Sequence, residues 1–166
     1  MKELFALGAS AGALLKAHKQ TVAVSESSAG GLINASLVAV PGASAYYLGG
    51  AVIYTKVGRR EIMGIRSEEM KGMRSASEPY AKLLALRVRE KLGATWGLAE
   101  TGASGPTGNS YGDAPGHACI AVSGPALDPH GAVITVETGS TDREANMREF
   151  ARRALALLES CLREPG

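Results

Sequence analysis

The stretch QTVAVSESSAGGLINASLVAV, residues 20–40, predicts a buried strand, a turn and a helix in direct succession. Residues 20–25 are short and β-branched, as in a strand that is buried on both faces. From Ala29 onward the apolar residues recur at helical spacing, and Pro41 and Gly42 end the helix. A strand that leads directly into a helix is typical of α/β folds.

The same alternation continues on both sides of this stretch. Apolar spacing predicts helices over residues 4–18, 56–63, 77–92 and 141–162. Strand patterns occupy residues 46–54, 95–100, 117–123 and 132–138. The last two strands are predicted to form a hairpin-like pair joined around residues 125–131. We therefore predict one α/β domain over residues 1–166, with three layers: a mixed β-sheet flanked by helices on both faces.

Two of the helices have recognisable starts. Ser77 precedes Glu78 and Pro79, which suits an N-cap followed by an acid and a proline in the first turn, and Gly93 ends that helix. Thr141 opens a Thr-x-x-Glu sequence with the spacing of a capping box.

Composition excludes several classes of protein. The 166 residues suit one domain, and a 45% hydrophobic content excludes a disordered chain. Eighteen basic and 16 acidic side chains give a net charge of +2, too balanced for a protein that binds nucleic acid by charge alone. The two distant cysteines and three scattered histidines predict neither a disulfide framework nor a closed metal site: Cys119, Cys161, His18, His117 and His130.

Hydropathy gives no sign of a membrane protein. No apolar run reaches the roughly 18–20 residues that a membrane-spanning helix needs. The segment MKELFALGASAGALLK is rejected as a signal peptide because Glu3 stands where positive charge belongs and Gly and Ser interrupt its apolar run. We expect a soluble, cytoplasmic domain.

The turn SESSAGG, residues 25–31, is the first candidate for chemistry. Hydroxyls between a strand and a helix meet unpaired backbone N–H groups, and Gly30 and Gly31 allow a ligand to approach the backbone. This pattern favours a serine nucleophile or an anion cradle. The simpler alternative is a helix cap from Ser27 or Ser28, although Glu26 beside them is unusual for a plain cap.

The glycine-rich stretch TGASGPTGN, residues 101–109, is the second candidate. Alternating glycines and hydroxyls can present backbone N–H groups to a phosphate or carboxylate, and Thr101, Gly102 and Gly105 are the candidate contacts. It matches neither a Walker loop nor a dinucleotide-binding fingerprint. The alternative is a flexible surface loop.

Basic residues supply the third group of candidates. Tyr54, Lys56 and Arg59 follow a predicted strand, and a lysine can act as the base for a serine. The alternative is a solvated turn.

Arg143 lies in the first turn of the last helix, where its positive charge opposes the helix dipole. A bound anion therefore explains its presence there better than a contribution to helix stability does. Its alternative is a surface ion pair.

Taken together, these segments resemble the CinA carboxy-terminal domain family, also called PncC, the nicotinamide mononucleotide amidohydrolases. The resemblance covers nearly the whole chain, from about Leu4 to Leu162. Three motifs lie in the first half of the chain: an E-S-C-T-G-G turn at residues 26–31, a P-G-x-S segment at 41–44 and a G-G-x-x-x-Y strand at 49–54. Three more follow: an L-G-V-like stop at residues 63–65, a T-G-x-x-G-P loop at 101–106 and, with a one-residue slip, a D-R-x-x-x-R-like segment at 142–148.

The resemblance implies hydrolysis of the carboxamide of nicotinamide mononucleotide to nicotinic acid mononucleotide and ammonia. It implies a serine nucleophile at Ser27, an assisting tyrosine at Tyr54, and a nucleotide held by the glycine-rich loop and Arg143. It implies no metal or organic cofactor, a small-molecule partner only, and a homodimer or higher homo-oligomer.

Two departures leave alternatives open. The family carries Asn and Lys two and five residues after the tyrosine, where this chain has Lys56 and Arg59. Arginine stays protonated and cannot act as the base, so either Lys56 takes that role or the base is lost. The chain is then an amidohydrolase, a nucleotide-binding relative that is inactive or cleaves another amide, or a domain that serves a partner protein.

Overall fold

The computed structural model describes residues 1–127 and 131–164. Within them lie five α-helices and five strands. The helices are α1 (Lys2–Ala17), α2 (Leu32–Val38), α3 (Lys56–Glu61), α4 (Glu78–Leu92) and α5 (Arg143–Arg163). The strands are β1 (Val22–Glu26), β2 (Tyr47–Val52), β3 (Trp96–Ala103), β4 (His117–Ser123) and β5 (Ala132–Glu137).

The strands form one sheet in the order β2-β1-β3-β4-β5. β1 pairs in parallel with both β2 and β3, whereas β4 and β5 run antiparallel to their neighbours. The predicted mixed sheet and the predicted pairing of the last two strands are therefore confirmed.

Helices cover both faces of the sheet. Large side chains such as Val24, Leu98 and Ile120 pack with α1, α2 and α5 on one face. Ala23, Ala99 and Cys119, which alternate with them along the strands, pack with α4 on the other face. The three predicted layers are thus confirmed, with a separate apolar core on each side of the sheet.

The small residues on the second face bring α4 unusually close to the sheet. A Cβ atom on Gly97 would lie 2.0 Å from the carbonyl oxygen of Ala85, so only glycine fits at that point of β3. As predicted, α4 begins at the cap Ser77, whose hydroxyl accepts from the backbone N–H of Tyr80, and ends at Gly93 with φ of +64°.

Several element boundaries differ from the predictions. α2 begins at Leu32 rather than Ala29, because buried carboxylates hold residues 27–31 in a turn, and β3 continues to Ala103. The predicted capping box at Thr141 is wrong: Asp142 caps α5, accepting from the backbone N–H of Ala145. Part of the predicted connection between β4 and β5, with His130, lies outside the described residues.

Candidate functional site

Three parallel strands end side by side at one edge of the sheet, and the segments that follow them form a cleft. β1 ends at Glu26, β2 at Val52 and β3 at Ala103. In parallel α/β sheets this carboxyl edge is where ligands bind. The serine turn, the basic segment and the glycine-rich loop, each predicted as a candidate for chemistry, all contribute residues to the lining of this cleft.

The cleft has two arms that share Ser27, Tyr54, Gly102 and Asn109. We call the first the Arg59 arm; it encloses about 280 Å³, and its lining also includes Lys56, Arg59, Ala76, Tyr80, Thr101 and Tyr111. We call the second the Arg143 arm; it encloses about 340 Å³, and its lining also includes Ser28, Ser104, Gly105, Thr107 and Arg143.

Ser27 lies where the two arms meet. It is half-buried, and its backbone N–H donates to Oε1 of Glu100 at 3.0 Å. Its hydroxyl makes no hydrogen bond within the part of the chain that the structure describes. The backbone of Ser27 is therefore fixed while its hydroxyl is free to meet a ligand in the cleft.

Glu100 organises this turn, and sequence reasoning missed it. Its fully buried carboxylate accepts from the hydroxyl of Ser28 and from the backbone N–H groups of Ser27 and Ala29. Burial raises the pKa of Glu100 to about 7, although these hydrogen bonds oppose the rise. A carboxyl group that titrates near neutrality thus holds the candidate nucleophile in place.

The predicted ligand contact of Glu26 is corrected by the structure. Its side chain is fully buried and accepts from the backbone N–H groups of Gly31, Ile33 and Asn34, at 3.0, 3.0 and 2.6 Å. Burial raises the pKa of Glu26, partly offset by these bonds. Glu26 therefore caps α2, and the N–H groups that could have cradled an anion are already occupied.

Gly30 and Gly31, predicted as substrate contacts, shape the turn instead. Both have positive φ, of +69° and +103°, which glycine adopts without strain. The N–H of Gly30 donates to the carbonyl of Ser27, and a Cβ on Gly30 would meet Met147 of α5. Neither glycine lines the cleft.

Of the backbone N–H groups from Ser27 to Gly31, only that of Ser28 lacks a partner in the described structure.

Tyr54 and Arg143 meet across the cleft. The guanidinium of Arg143 donates to the hydroxyl of Tyr54 at 2.9 Å and to the carbonyl of Gly105. The first residue of α5 is thereby tied both to the end of β2 and to the glycine-rich loop. The sequence had suggested a bound anion as the partner of Arg143. Two groups of this chain, the Tyr54 hydroxyl and the Gly105 carbonyl, already accept hydrogen bonds from its guanidinium.

Lys56 and Arg59 lie on one face of α3, whose N-cap is Thr55. They are three positions apart, about one helical turn, and both line the Arg59 arm. Lys56 is exposed, whereas Arg59 is only 9% exposed, and its Nε has no hydrogen-bond partner. The structure thus brings both predicted cations to the cleft, in different environments.

Tyr80 is a second cleft residue that sequence reasoning missed. It lies in the first turn of α4, where burial raises the pKa of its phenol, and the positive charge of Arg59 together with a hydrogen bond from it opposes that rise. The sequence did mark the start of this helix, through the cap at Ser77. A helix that leads into a parallel strand begins at the carboxyl edge of the sheet, so residues in its first turn, such as Tyr80, lie near the cleft.

The segment after Ser104 closes one side of the cleft. The Asn109 side chain accepts from the backbone N–H groups of Tyr111 and Asp113. Asp113 in turn binds Arg74, whose guanidinium lies 5.5 Å from the centre of the Tyr111 ring. Thr101 and Gly102, at the end of β3, form the floor, where the hydroxyl of Thr101 accepts from the N–H of Ala76.

No group of three or more His, Cys, Asp and Glu side chains is placed to share a metal ion in residues 1–127 and 131–164. Across the same residues, no helix is long and apolar enough to cross a bilayer.

The CinA C-terminal domain family matches residues 5–162. The chain belongs to this family. The match confirms the resemblance seen in the motifs. Among curated relatives, a CinA-like protein of Desulfosudis oleivorans is 40% identical over 154 residues, 92% of this chain and 36% of that protein. A CinA-like protein of Gloeothece citriformis is 36% identical over 122 residues, 74% of this chain and 28% of that protein. The chain thus spans about a third of the curated CinA-like proteins it matches.

Solved CinA-superfamily structures share the fold. A competence-damaged protein (CinA) superfamily protein from Klebsiella pneumoniae superimposes with a TM-score of 0.87 at 23% identity, over 96% of this chain and 97% of that one. A competence/damage inducible protein from Agrobacterium tumefaciens gives 0.85 at 25% identity, over 98% and 96% of the two chains.

Proposed function

We propose that this CinA-family domain is a serine-dependent amidohydrolase that cleaves the carboxamide of nicotinamide mononucleotide. The observation that carries the proposal is the free hydroxyl of Ser27, on a backbone anchored by Glu100, at the meeting point of the two arms. A hydroxyl on a fixed backbone that is free of other hydrogen bonds is available to a base and to the carbon that it attacks.

In the proposed reaction, the hydroxyl oxygen of Ser27 attacks the amide carbon while its proton passes to the uncharged amine form of Lys56. The unpartnered N–H of Ser28 donates to the oxygen that becomes negative. The carbon–nitrogen bond then breaks, and the proton passes to the leaving nitrogen, which departs as ammonia. Water hydrolyses the resulting ester, releasing nicotinic acid mononucleotide and restoring Ser27. Tyr54, held by Arg143, assists at the same junction.

The test is ammonia release from nicotinamide mononucleotide by the purified protein. We expect Ser27→Ala and Lys56→Ala each to lose turnover by at least about 100-fold. Ser25→Ala and Lys71→Ala serve as matched controls, because Ser25 is buried in β1 and Lys71 is exposed outside the cleft. Full turnover by Ser27→Ala contradicts the proposal.

A second candidate is a nucleotide-binding protein without turnover. The observation in its favour is Arg59, because a guanidinium occupies the position where the resemblance places the lysine base. Calorimetric binding of nicotinamide mononucleotide without ammonia release would select this candidate. Homodimerisation, which the resemblance implies, is proposed for either candidate.

A further inference from the structure

Both arms of the cleft carry basic side chains. The residues that line the cleft include three permanent or potential cations, Lys56, Arg59 and Arg143, and no aspartate or glutamate. A cleft that carries one sign of charge attracts ligands of the other sign. Arg143 already donates to Gly105 and Tyr54, so the remaining unmatched charge lies in the Arg59 arm.

Arg59 carries this unmatched charge. Its side chain is about nine-tenths buried, its Nε has no hydrogen-bond partner, and no carboxylate pairs with it among the described residues. Its neighbour Arg60 shows the ordinary arrangement, exposed and paired with Glu61 at 2.6 Å. Burying a guanidinium without an opposing charge is costly, and the bond to Tyr80 supplies none.

We infer that the Arg59 arm is an oxyanion subsite that holds the phosphomonoester or carboxylate group of the ligand. A guanidinium fork matches either group with two parallel hydrogen bonds. Ser27 lines the same arm of about 280 Å³, so the substrate is a small amide that carries an oxyanion. The inference rests on the proposed function only in placing the amide at Ser27; binding of the anion does not require turnover.

The test measures binding by calorimetry in a Ser27→Ala background, which prevents consumption of the amide. The probes are nicotinamide mononucleotide, nicotinamide riboside, which lacks the phosphate, and nicotinic acid riboside, which has a carboxylate instead of the amide. If the arm holds phosphate, the mononucleotide binds about 10–100-fold more tightly than nicotinamide riboside. If it holds carboxylate, nicotinic acid riboside shows that advantage.

Substitutions then assign the preference to Arg59. We expect Arg59→Gln to abolish the preference for the anionic probe and Arg60→Gln to leave it unchanged. A preference that survives Arg59→Gln but disappears in Arg143→Gln overturns the inference, as does equal binding of all three probes. If Arg59→Gln shows no cooperative unfolding in a thermal melt, binding of the same probes is measured with Arg59→Lys instead. It keeps the charge but loses the fork, so an undiminished preference overturns the assignment.

The two proposals fail separately in these experiments. Anion-dependent binding with no ammonia release by the unmodified protein defeats only the amidohydrolase. Ammonia release without any anion preference defeats only the subsite.

Discussion

Ser27 and Glu100 lie 73 residues apart, yet the backbone N–H of Ser27 donates to Oε1 of Glu100 at 3.0 Å. The parallel register of β1 and β3 explains the contact, because Ser25 pairs with Ala99 and the next residue on each strand is a glutamate. Two buried carboxyl groups therefore lie side by side on adjacent strands. One caps α2, and the other fixes the turn that carries the candidate nucleophile.

The raised pKa of Glu100 predicts a pH-dependent stability. Because its pKa is about 7 in the folded protein and 4.5 ordinarily, ionisation opposes folding. Its contribution to stability is complete below pH 4.5 and is lost as the pH rises to about 7, by roughly 3 kcal/mol. Glu100→Gln keeps an oxygen acceptor for Ser27 and Ala29, and we expect it to flatten this slope in urea unfolding at pH 5 and pH 7.5. The exposed control Glu61→Gln should keep the slope; an unchanged slope in Glu100→Gln contradicts the prediction.

Ser25 offers a stabilising substitution. Its hydroxyl is fully buried in β1 and has no hydrogen-bond partner. Because an unsatisfied buried hydroxyl opposes folding, we expect Ser25→Ala to raise the free energy of unfolding by about 1 kcal/mol. Ser36→Ala is the matched control, since the hydroxyl of Ser36 is buried but donates to the carbonyl of Leu32 at 2.6 Å. We expect that control to lose stability; a gain in both variants would argue against the assignment.

The close contact between α4 and β3 makes Gly97 sensitive to substitution. A Cβ there would lie 2.0 Å from the carbonyl oxygen of Ala85, so Gly97→Ala should lower the free energy of unfolding by about 1–3 kcal/mol. Gly58, inside α3, is the opposite case, because its Cβ would meet nothing nearer than 4.0 Å. Gly58→Ala should raise stability by about 0.5–1 kcal/mol. Equal effects of the two substitutions in chemical denaturation would refute this account of the packing.

His117 predicts a second pH-dependent contribution, at higher pH. Its two ring nitrogens lie 2.5 Å from Oε1 of Glu137 and 2.7 Å from the carbonyl of Ala76, so both can donate only when the ring is protonated. Burial lowers the pKa of His117, but the bonds to Glu137 and Ala76 raise it more, and the net shift is upward from 6.5. The stability it supplies is present below pH 6.5 and is lost as the pH rises through the raised pKa.

An NMR titration of His117 measures this shift directly. We expect Glu137→Gln to lower the pKa of His117, because it removes the charge that faces Nδ1. Thr135→Val is the control, since Thr135 lies on the same strand but does not bond the imidazole. A pKa that does not respond to Glu137→Gln would contradict the proposed cationic ring.

The fold was predictable because its signals are local. The spacing of apolar residues along the chain indicated which segments are strands and which are helices, and Ser77 and Gly93 marked the ends of α4. The cap of α5 was misassigned because Thr141 and Asp142 are adjacent residues of similar capping ability, and only the backbone geometry distinguishes them.

The site was predictable only in part, because its organisation depends on contacts between distant segments. Ser27, Tyr54, Lys56 and Arg59 follow strand ends, which can be seen in the sequence. The role of Glu100 depends on the register between β1 and β3, and the burial of Arg59 depends on how α3 packs near Tyr80. Neither relationship has a signature within a few residues of the chain.

The six-residue helix α3 holds Lys56 and Arg59 one turn apart on the rim of the cleft, outside the sheet. Neither residue lies in a strand, and neither belongs to the apolar cores on the two faces of the sheet. We expect substitution within this one turn to change what the cleft accepts without changing the pairing of the strands. α3 is therefore the segment to randomise when a new specificity is to be engineered.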